Sequence, residues 1–242
     1  MNEKGLLSAR IENLLSKAPF SNEFKMRKRK IDLVDMAYCD MRLYGSKLTR
    51  EGVKSVLDGE TIYDVPLVEH RIVYFHKKLM SDFEDSLHMQ LDADARLAAR
   101  FVSTLAGGGG PDYRHERVEL YHLGYVPADP RGLKEYLGGV LRRAAAPGSD
   151  SDAVDTAAAL HMAVIEAYPF DEVYSELAAR AVMQYELVKR NLFPVDLGLS
   201  DQQYFDITGR CLRSGDAGKF AAAVRSALIL KTDRLIELAD NL

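Results

Sequence analysis

Between one proline or glycine and the next, the apolar residues of this chain return at intervals of three and four, the spacing of a helix face and not of a strand. Leu6, Leu7, Ile11, Leu14 and Leu15 share one side of a helix over 5–17, closed by Pro19. A longer helix over 22–43 carries Phe24, Ile31, Val34, Met36 and Ala37, and Gly45 is its stop. Thr49 caps a third helix holding Val53, Val56 and Leu57, with Gly59 at its end. Pro66 precedes a helix with Val68, Ile72, Phe75 and Leu79, and another covers 89–105.

Four glycines and a proline at 107–111 then break the pattern, because a glycine run cannot hold a helix. In 114–123, Val118, Leu120 and the aromatic residues predict an extended stretch or a small hairpin, too short to build a sheet. Pro127 and Pro130 lead into a helix through about residue 143, and 144–150 is a second loop. Val154, Ala158, Met162 and Ile165 mark a helix over 152–167 that Pro169 interrupts. The next runs from near Ser175 to about Lys189, with Ala178, Val182 and Tyr185 on one face. Ser200 and Gln203 form a capping-box pattern. After a turn at 214–216, the last helix carries Phe220, Val224, Leu228, Leu235 and Ile236. The expected fold class is mainly α, eight to ten helices with a short β-hairpin flap.

Composition excludes some classes. The 242 residues fit one domain with small additions. No apolar run approaches the roughly 18 residues of a membrane span, and the leucines of the first helix are interleaved with charges, unlike a signal peptide. A cytoplasmic protein without a membrane partner is the expectation. Cys39 and Cys211 read as buried free thiols, with a disulfide as the alternative. The net charge of -4 gives no general case for nucleic acid. The charge is uneven: residues 1–50 hold 11 Lys/Arg against 6 Asp/Glu, or +5, which leaves -9 for the rest. The run Arg27-Lys28-Arg29-Lys30 reads as a solvated helix face, and a surface for an acidic partner is the other reading.

The stretch from His161 to Arg180 is the most informative: a buried helix, a proline-broken loop and a second helix. A loop between two core helices holds side chains rigidly, and the start of the second helix favours an anion. Tyr168-Pro169-Phe170-Asp171-Glu172-Val173-Tyr174-Ser175-Glu176 resembles the central motif of Fic domains, which reads His-Pro-Phe, a variable residue, an acid, Gly-Asn-Gly-Arg, two variable residues and Arg. Tyr168 matches the histidine, Glu172 the acid and Glu176 the first arginine; the second arginine position falls on Ala179, one before Arg180. Segments at 43–49, 56–59, 69–70, 110–114 and 214–216, together with His161 and Tyr204, resemble flanking parts of the family in the same order. The resemblance implies a Fic-like domain over 41–235 with an N-terminal helical extension over 1–40, the two packed as one unit.

As the family is known, a Fic enzyme moves a nucleotide monophosphate onto a protein hydroxyl. Its histidine takes the proton, its acid helps place a divalent cation, its glycines surround the phosphates with N–H groups, and its arginine neutralises them. Here those parts are replaced. A tyrosine with a pKa near 10 is a poor base. Val173 and Ser175 stand for glycines whose conformations a β-branched residue resists. Glu176 reverses the charge of an arginine. The expectation is loss of nucleotide transfer. Two readings stay open: acid/base chemistry on a small non-nucleotide substrate, transferase- or lyase-like, or an inactive scaffold binding a ligand or protein.

The residues singled out for catalysis are Tyr168, Glu172 and Glu176. Those singled out for substrate contact are Arg114, Tyr113, Asp171, Tyr174, Ser175, Arg180, His161 and Tyr44, the last standing where some Fic proteins carry an inhibitory glutamate. The bland readings are a packed aromatic for Tyr168, a core histidine for His161 and a flap anchor for Arg114. No resident cofactor is expected; a divalent cation between Glu172 and Glu176 is a minor alternative. His115, Glu116, Glu119 and His122 look like ligand material, but strand alternation would split them between two faces. A homodimer is compatible with the sequence, which names no seam.

Overall fold

A computed structural model describes residues 2–109, 112–146, 152–171 and 173–242. Ten helices lie among them: α1 Glu3–Leu15, α2 Asn22–Leu43, α3 Arg50–Leu57, α4 Leu67–His88, α5 Ala95–Leu105, α6 Leu133–Ala145, α7 Ala153–Ala167, α8 Tyr174–Lys189, α9 Asp201–Ser214 and α10 Gly218–Asp240. Their ends obey local chemistry. Thr49 accepts from the Gly52 N–H to open α3, and Ser200 and Gln203 close a capping box on α9. The helix expected over 89–105 begins later, because Asp94 accepts from the N–H groups of Arg96 and Leu97.

The centre is the pair α7 and α8, the most extensively packed helices of the chain. Eleven of the 15 residues of α7 and 13 of the 16 of α8 are buried, so each is covered on every side. Alanines at 157, 158 and 163 on α7, and at 178, 179 and 181 on α8, let neighbours approach closely. Helices α6, α9 and α10 pack on α7; α5 and α2 pack on α8; α1 lies on α10. One apolar core joins α2 to α8 through Phe83, Phe101 and Tyr185, and a second gathers α1, α9 and α10 around Phe220 and Tyr204.

Helix α2, which runs through position 40, carries three buried carboxylates, and each has cations. Asp32 takes Lys231 at 2.5 Å and Lys28 at 2.6 Å. Asp35 takes Lys231 at 2.9 Å and Arg50. Asp40 takes Arg180 and His76. Buried charges persist only when paired in this way. The basic run is also consumed locally: Arg27 on Glu23, Lys28 on Asp32, Arg29 on Glu84 and Lys30 on Asp58. Both cysteines are buried and unbonded, and burial pushes the Cys39 thiol up to about 12.

The expected β-hairpin flap is not present. Among the described residues there is no strand, only two isolated bridges, Tyr113 with Phe170 and Leu120 with Tyr125. The physical reason is Arg114, which is 1% exposed. Its guanidinium donates to the carbonyls of Glu116 at 2.7 Å, Tyr168 at 2.7 Å and Ala128. The Glu116 and Ala128 carbonyls, on either side of the Leu120–Tyr125 bridge, are thus held by one side chain and not by a ladder. Arg114→Met should therefore leave these carbonyls without donors and cost about 3 kcal/mol. The check is the urea midpoint at unchanged m value; a loss below about 1 kcal/mol would count against the anchor.

Candidate functional site

The loop between α7 and α8 is built by two opposing demands. Pro169 pushes the preceding residue out of the helical region. Tyr168 responds by closing α7 in the left-handed conformation, φ 43° and ψ 64°, while its N–H still reaches the Val164 carbonyl at 2.8 Å. For a non-glycine residue this costs of order 1–2 kcal/mol, and the surroundings hold it. Arg114 bonds the Tyr168 carbonyl through its side chain and the Pro169 carbonyl through its backbone N–H at 3.0 Å. Tyr113 stacks against Phe170, ring centroids 5.3 Å apart.

Ser175 fastens the far side of the loop. Its hydroxyl accepts from the Phe170 N–H at 2.7 Å and donates to the Phe170 carbonyl at 2.6 Å. The residue is fully buried, so this hydroxyl is engaged inside the loop. Asp171 is exposed; its carbonyl accepts from the Tyr174 N–H at 3.2 Å as α8 begins. Glu172 lies outside the described residues. Val173 opens α8 without a side-chain cap.

Beneath the loop runs a chain of charges. Arg180, 1% exposed, donates through Nε to Asp40 and lies over the Tyr204 ring at 5.7 Å. Its Nη1 is 3.8 Å from Glu176 Oε2, and Glu176 Oε1 is 3.4 Å from His122 Nε2. On the other side, Asp40 Oδ2 meets His76 Nε2 at 2.9 Å, and His76 Nδ1 meets the Ile72 carbonyl at 2.8 Å. Burial by itself would raise the pKa of Asp40, but Arg180 and His76 outweigh it and hold the carboxyl below its ordinary value. Burial likewise opposes the charge on Arg180, and Asp40, Tyr204 and Glu176 more than restore it.

Tyr168 is 6% exposed, and burial, reinforced by Glu176, pushes its phenol well above the ordinary tyrosine value. His161 is fully buried, with Nε2 2.9 Å from the Tyr204 hydroxyl and its ring stacked on Phe220 at 4.1 Å. Burial first, then the charge of Arg180, lowers its pKa well below that of a free histidine.

The structure thus brings Tyr168, Glu176, Arg180, Ser175, Arg114 and Tyr113 around one loop, with His161 one layer deeper behind Tyr204. Tyr174 starts α8 at its partly covered edge. Tyr44 stands apart as the exposed C-cap of α2, and no hydrogen bond among the described residues joins it to the loop. Residues that sequence reasoning missed are Asp40 and His76; His122, noted as ligand material and set aside on strand alternation, meets Glu176 instead. A signal existed for Asp40: it sits among Met36, Ala37, Cys39, Met41 and Leu43, where a carboxylate demands a buried cation from elsewhere. No group of three or more His, Cys, Asp or Glu able to hold a metal ion occurs among the described residues. The larger cavities open elsewhere: a cleft of about 880 Å³ between α5, α6 and the end of α8, a groove of about 470 Å³ along α4, and a hollow of about 520 Å³ beside Glu166. Tyr168, Ser175, Glu176 and Arg180 line none of these three.

No known family profile matches the chain, and no curated protein matches it in sequence. Solved structures do match. A Fic domain-containing signaling protein from Bacteroides thetaiotaomicron superposes with a TM-score of 0.79 at 18% identity, covering 98% of this chain and 97% of that one. Fic-1 from C. elegans gives 0.73 at 16% identity, covering 97% of this chain and 71% of that one. A Fic family protein from Desulfovibrio desulfuricans gives 0.73 at 16%, covering 97% and 75%. The chain has the fold of Fic domains, over nearly its whole length. No helix among the described residues is long and apolar enough to cross a membrane.

Two measurements follow from the buried charges. Asp40→Asn should cost about 3 kcal/mol in urea unfolding because Arg180 stays buried without its counter-ion, and adding Arg180→Met should recover part of that loss. An additive double variant would refute the pairing. His161 titrates below its unfolded value of 6.5. The unfolded chain therefore takes up a proton that the folded one refuses, and stability falls as pH drops below about 6.5. The slope approaches about 1.4 kcal/mol per pH unit. His161→Gln should flatten the stability curve between about pH 6.5 and 5; an unchanged slope would mean the histidine is protonated in place.

Proposed function

We propose that this chain is a Fic-fold scaffold that has lost nucleotide transfer and serves as a binding module for a ligand or protein partner. One observation carries the reading: the polar side chains at the motif loop are largely buried and engaged with main-chain groups or with α2. The Ser175 hydroxyl is closed on Phe170, the Arg180 Nε on Asp40, and the Arg114 guanidinium on main-chain carbonyls, while Arg180 Nη1 and Nη2 are buried without a hydrogen-bond partner among the described residues. Glu176 adds a carboxylate where the resemblance expects a cation for phosphates.

The residues present do not fit a magnesium triphosphate. An incoming phosphate would meet Glu176 and Asp40, and the nearby cation, Arg180, is buried with its Nε held by Asp40. A valine and a serine at 173 and 175 also stand where glycines would form a nest of N–H groups.

Redirected acid/base chemistry is less well supported. A general base has to ionise near the working pH, and burial and Glu176 drive the Tyr168 phenol the other way. Glu176 itself is 8% exposed and already faces His122 and Arg180. The basic run at 27–30 is paired within the chain, so it offers little free charge to a partner.

Titration calorimetry of the full chain with ATP and Mg²⁺ tests the loss of nucleotide chemistry. No binding heat is expected; micromolar affinity would overturn the reading, as would transfer of a labelled nucleotide to any protein hydroxyl.

A further inference from the structure

The cleft of about 880 Å³ between α5, α6 and the end of α8 holds cations that the rest of the chain leaves unused. Most of its acids are committed. Asp92 faces Lys189 at 2.6 Å, and Glu186 faces Arg190 at 2.8 Å. Asp94 accepts from the N–H groups of Arg96 and Leu97 as the cap of α5. Arg96, Lys134 and Arg142 line the same cleft. All three are exposed, and among the described residues none of their side chains is in an ion pair or a hydrogen bond. Glu135, beside Lys134, is the lining carboxylate left in the same state. The basic run of α2 differs, because each of its cations has a carboxylate within the chain. Unpaired cations gathered in a concave wall attract a negatively charged ligand.

Lys134, Gly138 and Arg142 follow at intervals of four and form one row on α6. The row is about 12 Å long. Arg96 stands on the α5 wall, in the first turn of that helix. Gly138 is the informative member. A glycine inside a helix weakens it relative to alanine, and packing here does not ask for one. A Cβ at 138 would meet only the Arg142 guanidinium, at 3.5 Å, an ordinary contact. The missing side chain leaves the floor of the cleft open between two cations.

In an extended peptide every second side chain points the same way, and residues four apart are separated by about 13 Å. Carboxylates at that spacing match Lys134 and Arg142, and the residue midway between them comes down over Gly138. Single charges spread along a chain also suit a wall where Asp94 and Glu135 interrupt the cations. A compact polyphosphate would meet those carboxylates as well.

We propose that this cleft binds an extended acidic segment of a partner protein, with acids four residues apart on Lys134 and Arg142, and Arg96 adding its charge from the α5 wall. The proposal gives the binding module a partner of stated chemistry. It stands on residues outside the loop between α7 and α8, so the ATP titration and peptide binding can fail separately.

Fluorescence anisotropy on the full chain at low salt tests it, with the rhodamine-labelled peptide Ser-Glu-Ser-Ala-Ser-Glu-Ser blocked at its C-terminus. Saturable binding is expected. Replacing both glutamates by glutamine, or setting them five apart on opposite faces, should weaken it at least about tenfold. Lys134→Glu with Arg142→Glu should do the same with an unchanged far-ultraviolet circular dichroism spectrum, since both side chains are in solvent. Lys47→Glu with Lys219→Glu, the same change of charge away from the cleft, should leave binding as it was. Gly138→Leu should raise the urea midpoint, because leucine is the better helix former, and yet weaken the peptide. No saturable binding would overturn the proposal. So would equal affinity for the two glutamate spacings, equal losses from the two charge-reversed pairs, or a Gly138→Leu chain that binds like the parent. Displacement by citrate at equal concentration would overturn it too, by assigning the cleft to a small polyanion.

Discussion

The pairing of Asp40 with Arg180 is the constraint on which the loop depends. Both groups are buried, and neither could stay charged in the interior alone. Their contact ties α2 to α8 across 140 positions of sequence, and His76 brings α4 to the same carboxylate. The desolvation cost is offset only while all three stay in register. Three elements are thereby fixed around the base of the loop.

Above that base, the loop is rigid by construction. A proline dictates where α7 stops, a left-handed tyrosine turns the chain, and a buried arginine gathers the carbonyls on either side. This is how a binding loop is usually held, and here Ser175 and Arg114 are bound to its main chain. The frame of the Fic fold persists at 18% identity, and in this chain it is centred on helix packing with small residues on α7 and α8. The chemistry of the loop rests on a handful of positions and changes with them.

Much of the fold could be read in advance for a plain reason. Prolines, glycines and capping side chains mark helix ends through local backbone chemistry, and α3, α7 and α9 begin or end beside Thr49, Gly59, Pro169 and Ser200 as their sequences imply. The segment after the glycine run was misread because alternation in 114–123 looks the same whether its carbonyls pair with a strand or with one guanidinium. Only the burial of Arg114 separates the two. At the site, Tyr168, Ser175, Glu176 and Arg180 were legible from the motif spacing. Their pairings with Asp40 and His122 were not, since these sit 140 and 54 positions away from Arg180 and Glu176, and long-range pairing has no local signature.

The charge chain has a consequence for how this sequence can vary. Each step from Glu176 toward arginine, or from Arg180 toward a neutral residue, passes through an intermediate with an uncompensated interior ion. The permissible moves are concerted ones, so epistasis hems in the loop between α7 and α8. Electrostatics, more than shape, sets those limits.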